Sequence, residues 1–76
     1  MVKRGSKAKK KLNRIGEVLI EKGLTQSWLA GEMDKEFRTV NRWVNNHSQP
    51  PIQKLYEIAK ALKISARELL YESLPK

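Results

Sequence analysis

TQSWLAGEMDKEFRTVNRWVN, residues 25–45, holds two short helical patterns joined by a tight break, and the fold follows from how it is read. Thr25 is a good helix N-cap, and Leu24 before it is placed to reach Leu29 as a hydrophobic staple, so a helix is expected from Gln26. Leu29, Ala30 and Met33 then mark one buried face, with Ala30 small enough for a crossing helix to come close. The pattern stops at Asp34 and Lys35. Aspartate is one of the few non-glycine residues that tolerate a left-handed backbone, so Asp34 is the expected turn residue and a second helix is expected from about Glu36.

On a helical wheel centred on Val40, the residues Glu36, Trp43, Val44 and His47 share its side, and Arg38, Asn41, Arg42 and Asn45 lie opposite or beside them. The outward face is therefore Arg and Asn alone. These side chains suit base edges, Arg pairing with guanine and Asn with adenine through two hydrogen bonds each. Arg38 and Arg42 also stand four apart, where like charges cost about 0.2–0.5 kcal/mol unless an anion lies between them. The alternative, a solvated polar face, would more economically be built from Lys and Glu, because Asn is a weak helix former. Two short helices, a tight turn and such a face form a helix-turn-helix pattern, whose second helix enters a DNA major groove.

A chain of 76 residues holds one small domain, in which about 60% of the unfolded chain's surface is buried, so three or more packed helices are required. There is no cysteine and one histidine, which leaves no disulfide framework or thiolate site, and no cofactor or metal is expected. Asn13, Arg14 and Glu17 interrupt the apolar residues between Leu12 and Ile20, so neither a signal peptide nor a membrane span is indicated, and a soluble cytoplasmic protein is expected.

Of the net charge of +8, residues 1–11 carry +6: Lys3, Arg4, Lys7, Lys9, Lys10 and Lys11, with no acid. Such a segment buries too little to order itself, so residues 1–11 are expected to form a disordered basic arm and residues 12–76 the folded domain. The arm can lie along phosphates, or serve only as a solubilising tail.

A first helix is expected over residues 12–22, with Leu12, Ile15, Val18 and Leu19 inward and Gly23 closing it. Glu17 and Glu21, four apart, could be read as paired catalytic carboxylates, but no nucleophile or metal ligand accompanies them, so a solvated face is the expectation and no enzyme is indicated. The polar loop from Asn46 to Pro51 ends the second helix of the motif, and Pro51 suits the first turn of the next. Ile52, Leu55, Ile58, Ala59 and Leu62 form its apolar stripe, to about Lys63. Ser65 and Glu68 make an S-x-x-E capping box for a fifth helix carrying Leu69, Leu70 and Leu74. Trp43 reads as core, and Trp28 as partly buried rather than as a platform for single-stranded nucleic acid.

Taken in order, Thr25-Gln26, Leu29-Ala30, Val40, Arg42-Trp43, Asn45, Pro50-Pro51, Leu55, Ile58-Ala59 and Leu62 closely resemble the phage repressor and Cro-like helix-turn-helix family, the xenobiotic-response-element type of bacterial transcriptional regulators. The resemblance spans about residues 12–72 and implies an all-α, compact five-helix λ-repressor-like fold. It further implies that Gln26 bonds a phosphate and that Phe37, Arg38, Thr39 and Arg42 are base-reading positions, with Asn41 and Asn45 on the same edge. Phe37 departs from the polar residue usual there; it could meet a thymine methyl group or pack against the adjoining helix. Asp34 and Glu36 replace the usual turn glycine and the usual Ser or Thr cap.

The expected base contacts are thus Phe37, Arg38, Thr39, Asn41 and Arg42, and the expected phosphate contacts Gln26, Asn45, Asn46, Lys9, Lys10, Lys11 and Arg14. The expected activity is sequence-specific binding of double-stranded DNA as a transcriptional repressor, without a small-molecule substrate. A homodimer would use the C-terminal helix through Leu70, Tyr71 and Leu74. Two other classes remain open: an antitoxin or accessory module whose C-terminal face binds a protein, and a small RNA-binding protein, the latter without the aromatic-bearing sheet such proteins use.

Overall fold

The computed structural model describes residues 11–71, which form four α-helices and one 3-10 helix. In chain order these are α1 (Ile15–Lys22), α2 (Gln26–Met33), α3 (Phe37–Val44), α4 (Ile52–Leu62) and the 3-10 helix (Ala66–Leu69). The expected all-α class holds. The expected fifth α-helix is instead this single 3-10 turn, and the expectation for the arm falls, apart from Lys11, outside the described residues, as does Leu74.

Each boundary has a local cause. Thr25 Oγ1 accepts the Trp28 N–H at 3.0 Å and so caps α2. Gly23 ends α1 in the left-handed region at φ 69°. Asp34 ends α2 in the same region at φ 56°, and the Lys35 N–H closes on Ala30 O at 3.0 Å. The α2–α3 turn therefore has regular closing geometry although it lacks glycine. Glu36 makes no side-chain cap bond, as its poor capping chemistry predicts. At the far end, the Glu68 carboxylate reaches back to the Ser65 N–H at 3.4 Å, but Leu70 then turns extended, which limits the helix to one turn.

The core is one cluster drawn from every helix. Ile15, Leu29, Val40, Ile58 and Leu69 are the largest fully buried side chains, surrounded by Val18, Leu19, Met33, Trp43, Leu55 and Leu62. α2 packs on both α3 and α4, α1 packs on α3, and α4 packs on the 3-10 helix. Gly16 lets α1 lie close against α3: a Cβ there would lie 3.0 Å from Val44 Cγ1. Trp28 is half-buried against the cluster, as its pattern predicts.

Four residues expected to face inward do not. Leu12 is half-exposed and precedes α1, because residues 12–14 are not helical; Asn13 bridges antiparallel to Leu70, and the Arg14 N–H donates to Leu69 O at 2.7 Å. Ile52 is exposed because it opens the first turn of α4, short of the packed stripe. Glu36 and His47, placed on the inward side by the wheel, are exposed because both lie beyond the ends of α3.

The paired segments before α1 and after the 3-10 helix are held by charge as well. Arg14 ion-pairs with Glu17 at 3.0 Å and with Glu21 at 3.4 Å, and the Tyr71 hydroxyl donates to Glu17. The Tyr71 bond, followed by that of Arg14, holds Glu17 below the usual carboxylate range, and the same Glu17 bond pushes the Tyr71 phenol up. Glu17 therefore favours the fold above its ordinary pKa and loses that contribution as pH falls through its lowered value. The raised phenol favours the fold below its ordinary pKa and loses its contribution as pH rises through the raised one.

Two outcomes test this account. Leu29→Ala removes a fully buried side chain and should destabilise the domain by about 2–5 kcal/mol, read from denaturant or thermal melting. Tyr71→Phe should move the Glu17 titration, followed by carboxyl-carbon NMR, upward toward the ordinary value; an unchanged midpoint would show that the hydroxyl contributes nothing.

Candidate nucleic-acid interface

α3 is only eight residues long, too short to be stable alone, so its orientation comes from Val40 and Trp43, which are sunk into the core. That anchoring turns the opposite side outward. Phe37 is 51% exposed at the first position of α3, Arg38 and Arg42 are exposed one turn apart, and Thr39 and Asn41 are half-buried along the edge. Asn45, the C-cap, is exposed at the far end.

Neither arginine has a carboxylate partner among the described residues. The ion pairs there involve Arg14 and Lys54, and none reaches α3. Two like charges four apart on a helix, unrelieved by any acid, form a surface that attracts an anion.

Gln26 opens α2, where the helix N-terminus favours negative charge, and its Oε1 accepts a 2.8 Å hydrogen bond from Asn41 Nδ2. The first turn of α2 is thereby tied to the middle of α3. Gln26 and Asn45 also share a cleft of about 520 Å³, between α1, the start of α2 and the end of α3. Lys11 lies on its wall, and Arg14 and Tyr71 line it as well. Three of the expected phosphate contacts, Gln26, Asn45 and Lys11, are thus brought to one concavity beside α3.

The other two described residues of that set are otherwise engaged. Arg14 already serves Glu17 and Glu21, and its Nη1 donates to Glu68 O at 3.1 Å, so its charge is compensated within the fold. Asn46 is buried at 8% exposure in the left-handed region at φ 59°. Its Oδ1 accepts from the backbone N–H groups of Leu12 and Asn13 at 2.9 and 3.0 Å and from Gln49 Nε2 at 3.1 Å, while its Nδ2 donates to Asn13 O at 3.2 Å. An amide saturated in this way is structural: its polar atoms face the fold, where leaving one unsatisfied would cost about 1–3 kcal/mol.

Asn13 and Gln49, which the sequence did not single out, complete this cluster. Asn13 Nδ2 donates to Trp43 O at 2.9 Å and to Gln49 Oε1 at 2.7 Å, and Asn13 Oδ1 accepts the Ile15 N–H at 3.0 Å. The usable signal was Asn13 itself, a capping-type residue just ahead of an apolar helical run and a poor choice for the interior of a helix.

Among the described residues, no group of three or more His, Cys, Asp and Glu side chains could hold a metal ion. No helix there is long and apolar enough to cross a membrane.

Known structures share this fold. A protein from Bacteroides fragilis classed as DNA-binding is 43% identical, with a TM-score of 0.77 over 79% of this chain and 97% of that one. A transcriptional regulator from Listeria innocua shares the fold at 24% identity, with a TM-score of 0.66 over 87% of this chain and 66% of that one. No curated protein matches the chain. The helix-turn-helix family pattern matches residues 15–69, from the first residue of α1 to the end of the 3-10 helix, and the chain belongs to the repressor and Cro-like helix-turn-helix family.

Proposed function

We propose that this protein is a sequence-specific, double-stranded DNA-binding transcriptional regulator of the cytoplasm that represses by occupying promoter DNA. The single observation that carries this reading is the Arg38–Arg42 face of α3, without an ion-pair partner among the described residues and held outward by Val40 and Trp43 in a helix-turn-helix. The likeness to a Bacteroides fragilis protein classed as DNA-binding supports it.

Affinity and specificity have separate sources. Gln26, Asn45, Lys11 and the lysines ahead of it, Lys9 and Lys10, supply sequence-independent attraction to phosphates. Arg38 and Arg42 read base edges, Thr39 and Asn41 flank them, and Phe37 offers an apolar surface for a thymine methyl group. Asn41, bonded to Gln26, links the two sets, so phosphate contact at α2 bears directly on the position of α3. Binding, rather than catalysis, is the whole of the proposed activity.

A two-fold dimer would place its half-sites about one DNA turn, roughly 34 Å, apart. Its surface would include Leu70 and Tyr71, which follow the 3-10 helix and are 44% and 37% exposed.

Selection from random duplexes by electrophoretic shift tests the reading: enrichment of one site, palindromic if the dimer forms, is expected, and tight binding without preference would sink it. On the selected site, Arg42→Ala should cost about 1–3 kcal/mol and relax preference at one or two positions. Gln26→Ala should instead weaken all duplexes alike. An equal loss on every duplex for Arg42→Ala would remove it from the base readers.

A further inference from the structure

We infer that Phe37 reads the C5-methyl group of a pyrimidine in the major groove, so that one position of the DNA site accepts thymine or 5-methylcytosine and binding there responds to cytosine methylation. The inference rests on the duplex-DNA reading and deepens it.

Phe37 is the first residue of α3 and is 51% exposed. Of the large apolar side chains exposed among the described residues, it alone lies on α3. The anchoring of that helix comes from Val40 and Trp43, so Phe37 is not needed to hold it in place. One turn along the same edge stands Asn41, whose Nδ2 donates to Gln26 Oε1 at 2.8 Å and ties that edge to the start of α2. The phenyl ring is therefore carried on an edge of α3 whose position the fold sets, directly before Arg38 in the chain.

The chemistry of the ring limits what it can recognise. A phenyl group has neither donor nor acceptor, and the base edges in the major groove are marked by hydrogen-bonding groups with one exception, the C5-methyl of thymine. Phe37 gains free energy there by excluding water from that methyl group, in proportion to the apolar area covered. 5-Methylcytosine presents the same methyl at the same ring carbon. The O4 acceptor of thymine and the N4 donor of cytosine find no hydrogen-bonding partner in a phenyl ring. Phe37 consequently reads the methyl group and not the base that carries it.

Charge selects this occupant over others. Arg38 follows Phe37 directly, Arg42 lies one turn beyond Arg38, and no carboxylate pairs with either among the described residues. A single phenyl group beside two such cations suits an apolar mark inside an anionic groove, whereas a protein partner would call for a wider apolar patch. Stacking on unpaired bases uses clustered aromatics, and α3 exposes no second one.

The test is duplex affinity of the full chain for its selected site, with each thymine replaced in turn by uracil, which lacks only the methyl group. At one thymine of the site, or of each half-site if the dimer forms, the native protein should lose affinity about fourfold, the equivalent of uncovering one methyl group. Cytosine and 5-methylcytosine are then compared at that position opposite guanine, and methylation should raise affinity by a similar factor. Phe37→Ala should bind both members of each pair alike, and Phe37→Leu, which keeps an apolar side chain, should retain part of both differences.

If no uracil weakens binding by the native protein, or if the methyl effects persist in Phe37→Ala, the inference is wrong. Should Phe37→Ala fail to fold, Phe37→Gln decides by the same comparison. An enriched site indifferent to its methyl groups overturns this inference alone. Failure of the native protein to select any site would instead overturn the DNA reading, and this inference with it.

Discussion

Everything α3 presents to its surroundings depends on the burial of Val40 and Trp43. A helix of two turns has too few internal hydrogen bonds to persist in water, so tertiary packing both forms it and aims it. Val40 is fully buried and Trp43 nearly so, among core residues contributed by every other helix. The same insertion that stabilises α3 fixes its rotation about its axis. Arg38 and Arg42 are consequently held toward solvent by apolar groups on the opposite side and need no polar bonds of their own to stay there.

Around that anchor the protein uses side-chain amides at its joints. Asn41 to Gln26 ties α3 to the first turn of α2, while Asn46, Asn13 and Gln49 tie the exit of α3 to the entry of α1. Amides suit these joints because each offers a donor and an acceptor on one short stem, so one residue can satisfy backbone groups from two directions without a charge. Gly16 serves the same region differently, by removing the side chain that would keep α1 from Val44. The molecule thus separates its chemistry: apolar groups and amides build the frame, and the guanidinium groups of Arg38 and Arg42, uncompensated among the described residues, stand outside it. Arg14 marks the boundary, an arginine whose carboxylate partners make it part of the frame.

The turn between α2 and α3 shows how a departure from a preferred residue is absorbed. Asp34 takes the left-handed position at φ 56°, and the backbone bonds that close the turn form around it. A short polar side chain tolerates that region at modest cost, and the burial of Leu29, Ala30 and Met33 before it and Val40 after it offsets that cost. The cap at Glu36 is weak for a related reason: without a side-chain bond at its N-terminus, α3 relies still more on its buried face.

The sequence by itself determined the helical periodicities, the cap at Thr25, the left-handed ends at Gly23 and Asp34, the core stripe of α4 and which face of α3 is polar, because each is set by residues within a turn or two of one another. Only the tertiary structure decided what happens where distant segments meet. Leu12 and Asn13 read as the first turn of a helix, yet they are not helical because Leu70 and Asn46 offer them partners more than thirty residues away. Leu70 likewise read as part of a last helix and is extended for the same pairing. Asn46 read as a phosphate contact beside Asn45, but its left-handed backbone turns its amide inward. Arg14 likewise read as a phosphate contact, but the fold brings Glu17, Glu21 and the Glu68 carbonyl around it. Local patterns specify elements through short-range sterics and hydrogen bonding. Which polar side chains are spent inside the fold is settled only when distant segments come together.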